Sequence, residues 1–293
     1  MLPAEILKKI KRIHIRSRRM AETMMAGHYR SVFKGAGMEF EEVREYAPGD
    51  EIRSIDWKVS ARMGRPFIKQ YREEREMVVM LLIDMSRSGF FGTGEELKVD
   101  KAAEVASVIA FNAIKNGDKV GAIFFTDQVE LYIPPKNGSA HIWRVIREIF
   151  TFKPQSRGTD IDEAVAFLNR VCRKKTVSFV ISDFLAESCT QTLRLVGRRH
   201  ELISILLSDP GDFALPKAGL LTVKDPETLE THLLDLSNPK VRKKVAAVKE
   251  EEKQAIVEES RRAGVDVIDL STHASTTDVL TRYFSWREGR RRR

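Results

Sequence analysis

The stretch Val78-Val79-Met80-Leu81-Leu82-Ile83-Asp84-Met85-Ser86-Arg87-Ser88-Gly89 is an unbroken apolar run that stops abruptly at one carboxylate and two hydroxyls. So short and apolar a run reads as a strand buried on both faces, the kind found in a parallel sheet covered by helices. Working outward, strand-type runs at Lys119 to Phe125, Thr176 to Ile181, Leu202 to Leu207 and Val265 to Leu270 alternate with helix-type runs. The helical runs are Lys98 to Asn116, Ser139 to Phe150, Asp160 to Cys172, Thr190 to Arg199 and Lys240 to Arg262. This alternation predicts an α/β fold with a mostly parallel sheet flanked by helices. Gln128 to Ile133 pairs as a short hairpin partner, and residues 210–238, punctuated by Pro210, Pro216 and Pro226, read as less regular.

In open α/β sheets, ligands gather outside the carboxyl ends of the strands, and Asp84, Ser86 and Ser88 fall there. Period-two alternation points positions 84, 86 and 88 the same way. An all-oxygen set suits a hard cation such as Mg²⁺, or a similar divalent ion such as Mn²⁺ or Ca²⁺. The plainer reading is that the two serines only cap the following turn. Thr159, at a helix entrance, and Asp183, after the strand ending Ile181-Ser182, add two oxygen donors at the same end of the sheet. The set resembles the metal-ion-dependent adhesion site of von Willebrand factor A domains. That resemblance implies Asp84, Ser86, Ser88, Thr159 and Asp183 as metal residues, with a coordination position left for a partner's carboxylate.

Enzymatic templates fit less well. Haloacid-dehalogenase-type phosphatases need a second aspartate where Ser86 stands. Gly89 to Gly94 has P-loop spacing, but Glu95-Glu96 replace the Lys-Ser/Thr that would hold phosphate. No GxGxxG turn follows a strand, and there is no GxSxG elbow. A metal-dependent hydrolase on the same oxygen set is the alternative to a binding module. The six histidines lack HxxxH or HExxH spacing and read as surface or helix-end residues. Cys172 and Cys189 make no disulfide framework, so a reducing, cytoplasmic setting is expected. The apolar runs are far shorter than the roughly 18 residues of a membrane span.

The chain has 293 residues and a net charge of +8. Residues 1–34 carry +7 and residues 282–293 carry +5, which leaves −4 for the body between them. A folded body without a basic stripe argues against a nucleic-acid partner. Ile6-Leu7-Lys8-Lys9-Ile10-Lys11-Arg12-Ile13 reads as a basic amphipathic helix, which either packs on the body or makes peripheral contact with an anionic membrane. Arg290 to Arg293 read as a solvated, frayed terminus.

Upstream lie His28-Tyr29-Arg30-Ser31, Gly35-Ala36-Gly37-Met38-Glu39-Phe40, Arg44-Glu45-Tyr46-Ala47-Pro48-Gly49-Asp50, Arg53-Ser54-Ile55-Asp56-Trp57 and Ser60-Ala61-Arg62. These resemble the signature of the Domain of Unknown Function 58 family, in which a von Willebrand factor A-like domain follows. The organisation expected is a basic helical segment (1–34), a β-rich signature segment (35–76), a von Willebrand factor A-like domain (77–285) and a basic tail (286–293). The signature charges read as a docking surface or as ties between appendage and body, and Trp57 reads as core packing. Family members are commonly encoded beside a MoxR-type AAA+ ATPase. The reading that follows is a cytoplasmic, non-enzymatic protein that uses a divalent cation to dock a partner's carboxylate, and the family resemblance implies that ATPase as the partner and this protein as its adaptor.

Overall fold

The computed structural model describes residues 4–24, 38–73, 76–185, 189–224 and 229–291. Helix α1 (Ala4–Met24) comes first, then strand β1 (Met38–Glu45), helix α2 (Trp57–Met63) and strand β2 (Phe67–Glu73). The larger unit begins with β3 (Val78–Asp84), α3 (Lys98–Lys115), β4 (Lys119–Phe125) and β5 (Val129–Lys136). It continues through α4 (Ser139–Thr151), α5 (Ile161–Val171), β6 (Val177–Ser182), α6 (Thr190–Gly197) and β7 (Glu201–Ser208). The last elements are α7 (Pro210–Phe213), β8 (Leu220–Lys224), β9 (Thr231–Asp235), α8 (Pro239–Ala263), β10 (Asp266–Ser271) and α9 (Thr276–Arg291).

The central sheet runs β10-β7-β6-β3-β4-β5, with every neighbouring pair parallel except β4–β5. Helices cover both faces, so this is the von Willebrand factor A-like arrangement expected. The period of two divides β3 between two cores. Val79, Leu81 and Ile83 pack with Ile109, Ile142, Leu280 and Phe284, whereas Met80 and Leu82 pack with Ile161, Val165 and Leu193. Because both faces are apolar, the strand reads as a continuous run instead of an alternating one.

Helix α3 is buried almost all round, and small residues at Ala102, Ala103, Ala106, Ala110 and Ala113 let neighbours approach it closely. Its outer side is covered by α1, whose Ile10 and Ile13 join the first core. The cations of α1 answer the acids near the start of α3: Lys9–Asp100 at 2.5 Å, Arg16–Glu96 at 3.2 Å and Arg16–Glu104 at 3.6 Å. The buried part of the apolar stripe thus lies against the protein's own body. No helix among the described residues is long and apolar enough to cross a membrane.

The signature segment forms an antiparallel β1–β2 hairpin with α2 between its strands. Its charges tie the hairpin to its own turns. Arg44 donates two hydrogen bonds to Asp50, at 2.7 and 2.8 Å. The Asp56 carboxylate caps α2 by accepting from the Lys58 and Val59 N–H groups and pairs with Lys69 at 3.3 Å. Gly64, at φ +70°, closes the helix in the left-handed conformation that glycine adopts without penalty. Trp57, expected in a core, is 70 % exposed. It opens a seven-residue helix whose buried residue is Ser60, hydrogen-bonded to the Phe67 N–H at 2.8 Å, so no inward apolar site reaches the indole. The signature residues His28 to Ser31 and Gly35 to Gly37 lie outside the described residues.

Three other expectations change. Residues 210–238 contain α7 and the β8–β9 hairpin, so the segment is more regular than its prolines suggest. The basic tail is helical through Arg291 because its cations have partners: Arg287 pairs with Glu201 and, at 3.1 Å, with Asp266. Arg290 also lies over the Trp286 ring. His200, expected near the surface, is 1 % exposed; its Nδ1 accepts from the Thr176 hydroxyl at 2.9 Å and the Thr176 N–H at 3.3 Å.

Burial, reinforced by the charge of Arg199, lowers the His200 pKa to about 4. The folded state therefore resists a proton that the unfolded chain takes up near pH 6.5. The stability this neutral imidazole provides is intact above pH 6.5 and falls by about 3 kcal/mol as pH drops to 4. Urea unfolding at pH 7 and pH 4 is expected to show that loss, and His200→Asn to abolish the histidine-dependent part of it.

Candidate functional site

Strand β3 delivers Asp84 to the carboxyl edge of the sheet, between β4 and β6. The chain then turns sharply, with the Met85 N–H donating to the Phe125 carbonyl at 2.8 Å and the Arg87 N–H to the Arg157 carbonyl at 3.1 Å. A short 3₁₀ turn, Arg87–Phe90, follows. Two neighbours fix the Asp84 carboxylate: the Ser86 N–H donates to Oδ1 at 2.8 Å and the Ser182 hydroxyl to Oδ2 at 2.5 Å. The hydroxyls of Ser86 and Ser88 lie 3.0 Å apart, and both residues are buried.

Asp84, Ser88 and Asp183 line one small pocket with Ser182 and Lys98. Its volume of about 10 Å³ is close to the space of a single water or small ion. Burial, with the nearby Asp183 carboxylate next in weight, pushes the Asp84 pKa well above the usual carboxylate range. A cation beside Asp84 would remove that penalty. Three of the five expected residues, Asp84, Ser86 and Ser88, thus form a compact oxygen cluster that fits a hard cation.

Asp183 stands at the same rim but is already engaged. The Lys98 ammonium, on the first residue of α3, lies 3.1 Å from its Oδ2 and 3.0 Å from Asp212 Oδ2. Lys98 is 3 % exposed, and its ammonium also sits 5.6 Å from the centre of the Phe91 ring. Burial opposes the charge, but the Asp183 and Asp212 carboxylates outweigh it and hold the Lys98 pKa above its ordinary value. Thr159 is partly buried on the 157–160 loop, which is tied down by the Asp160 N–H donating to the Thr126 carbonyl at 2.9 Å. It is not among the side chains lining the pocket of Asp84 and Asp183. Sequence reasoning missed Lys98, Ser182 and Asp212. One signal for Lys98 was available, because a cation opening a helix opposes the helix dipole and needs an acidic partner.

Just after Asp183, the buried Phe184 holds φ +57°, a conformation a bulky residue adopts only when its surroundings impose it. Its N–H donates to the Ser182 hydroxyl at 2.9 Å. That hydroxyl therefore joins the turn after β6 to the carboxylate that ends β3.

The family described as "Protein of unknown function DUF58" matches this chain over residues 42–255. The chain belongs to that family. Among relatives, the uncharacterized protein Rv1480 of Mycobacterium tuberculosis is 30% identical over 267 residues, covering 90% of this chain and 84% of the relative. The uncharacterized protein YeaD of Bacillus subtilis is 27% identical over 176 residues, covering 60% of this chain and 41% of the relative. Among solved structures, BatB from Bacteroides thetaiotaomicron has a TM-score of 0.47 at 14% identity and covers 73% of this chain and 99% of its own. The SpRpn10 VWA domain has a TM-score of 0.40 at 11% identity and covers 70% of this chain and 94% of its own.

Proposed function

We propose that this DUF58 protein is a non-enzymatic, cytoplasmic interaction module that docks an acidic side chain of a protein partner at the carboxyl rim of its sheet, with a divalent cation held by Asp84, Ser86 and Ser88. The observation that carries the proposal is the Asp84 carboxylate, buried beside two serine hydroxyls and a second carboxylate. When bound, Mg²⁺, Mn²⁺ or Ca²⁺ would supply a hard positive centre that accepts a further oxygen ligand. The chain's own residues do the rest: Ser182 and the Ser86 N–H fix the carboxylate's orientation, and Lys98 neutralises Asp183. By family resemblance the partner is a MoxR-type AAA+ ATPase, and this protein is its adaptor.

Calorimetry is expected to show Mg²⁺ or Mn²⁺ binding that weakens at least 100-fold in Asp84→Ala, with the circular dichroism unchanged. A pull-down with the ATPase should succeed in Mg²⁺ and fail in chelator. Undiminished ion affinity in Asp84→Ala would overturn the proposal. So would phosphate-ester turnover that disappears with Asp84, because it would make the same residues a hydrolase site.

A further inference from the structure

The two edges of the central sheet are built differently. Strand β5 carries Pro134-Pro135 at an irregularity in its pairing with β4, between Ile133 opposite Ala122 and Lys136 opposite Val120. Prolines and bulges on an edge strand are a common protection against added strands. The other edge, β10, pairs with β7 on one side and contains no proline. It forms the floor of a groove of about 630 Å³ with α8 on one side and α9 on the other.

The uncompensated charge of the groove is positive. Its two acids are engaged within the protein: Asp266 with Arg287 at 3.1 Å and with the Tyr283 hydroxyl at 3.1 Å, and Asp269 with Lys253 at 2.6 Å. Arg261 and Arg282 line the walls, both exposed and neither in an ion pair among the described residues. Trp286, 51 % exposed and overlain by Arg290, adds a broad apolar surface at the rim. Unpaired backbone groups at the floor, arginines on both walls and an aromatic at the lip match one ligand chemistry.

We infer that β10 and the groove between α8 and α9 receive an extended acidic segment of a partner protein, which adds to the sheet as a further strand. Its main chain pairs with β10 and its carboxylates face Arg261 and Arg282. The groove is distinct from the Asp84 pocket and does not depend on a metal there.

The test uses the full chain and a fluorescein-labelled, capped octapeptide of repeated Glu-Glu-Val-Val, which places carboxylates on both faces of an added strand. Anisotropy should show saturable binding that weakens as salt rises, because exposed charge pairs are screened. N-methylation at alternate amides preserves the peptide's charge and composition but removes strand pairing, and is expected to weaken binding at least tenfold. The Arg261→Glu/Arg282→Glu double variant should also bind at least tenfold more weakly. If that variant misfolds, the N-methylated peptide on the unaltered protein still decides the matter. Equal affinity for both peptides, or no saturation, overturns the inference. Binding that vanishes in chelator would also overturn it, because the acid would then be reading the Asp84 pocket. A concentration-dependent dimer that the peptide dissociates would overturn it in favour of a second copy of the chain.

Discussion

Lys98→Met is expected to destabilise the protein by roughly 3–5 kcal/mol in chelator, the usual cost of removing one partner from a buried charge cluster. The ammonium sits 3.1 Å from Asp183 and 3.0 Å from Asp212 and is itself almost fully buried. Methionine keeps much of the volume, so the loss isolates charge from packing. Without the ammonium, Asp183 is left beside Asp84 with nothing to balance either carboxylate. A divalent cation should then bind more tightly than to the unaltered protein and restore stability. At a hundredfold excess over its dissociation constant, an ion returns about 2.7 kcal/mol. Urea unfolding with Mg²⁺ and with chelator measures both effects. A variant as stable as the parent would show that Lys98 is not the counter-ion of this rim, and one insensitive to Mg²⁺ would show that the rim takes no divalent ion.

A comparable loss, about 3–5 kcal/mol, is expected from Asp209→Ala. Asp209 follows β7 as the N-cap of α7 and is completely buried. Its Oδ1 accepts from the Thr93 hydroxyl at 2.5 Å and the Gly211 N–H at 2.8 Å, and its Oδ2 from the Thr272 hydroxyl at 2.7 Å. Burial alone would raise its pKa, but these donors together bring it to about 2. The folded value lies below the unfolded one, so the stabilisation is complete above about pH 4 and is lost as pH falls towards 2. Alanine orphans donors from three separate segments: the loop before α3, the start of α7 and the turn after β10. The melting temperature should fall by roughly 10 °C, taking about 2–4 °C per kcal/mol for a domain of this size. Gly211 makes the junction tighter still, since a Cβ there would run into the Thr93 Cγ2 methyl.

The sheet was legible because its chemistry is local. An unbroken apolar run ending in Asp84 identifies a doubly covered strand whatever surrounds it, and the same holds for β4, β6 and β7. Asp84, Ser86 and Ser88 were legible as a motif, but alternation is not what gathers them: Ser88 lies in the 3₁₀ turn Arg87–Phe90, and it is the turn, pinned by the Ser86 N–H on Asp84 Oδ1, that brings the hydroxyls together. Lys98 was not legible, because its place over Asp183 depends on how the 91–97 loop aims the first turn of α3. The Lys98 N–H to Phe91 carbonyl bond, at 3.0 Å, belongs to that loop and not to any periodicity. Trp57 misled because aromatics are usually buried, whereas the short α2 gives this one nothing to pack under. The β8–β9 hairpin was hidden by its surroundings: its residues are almost all exposed, so no inward face imprints the alternation that marks a strand.

The prolines on β5 also set a limit on stoichiometry. A sheet that can lengthen at both margins can recruit copies without end and grow into a fibre, whereas one blocked margin makes every such growth self-terminating. With β10 as the receiving margin, the expected stoichiometry through this sheet is one strand per molecule.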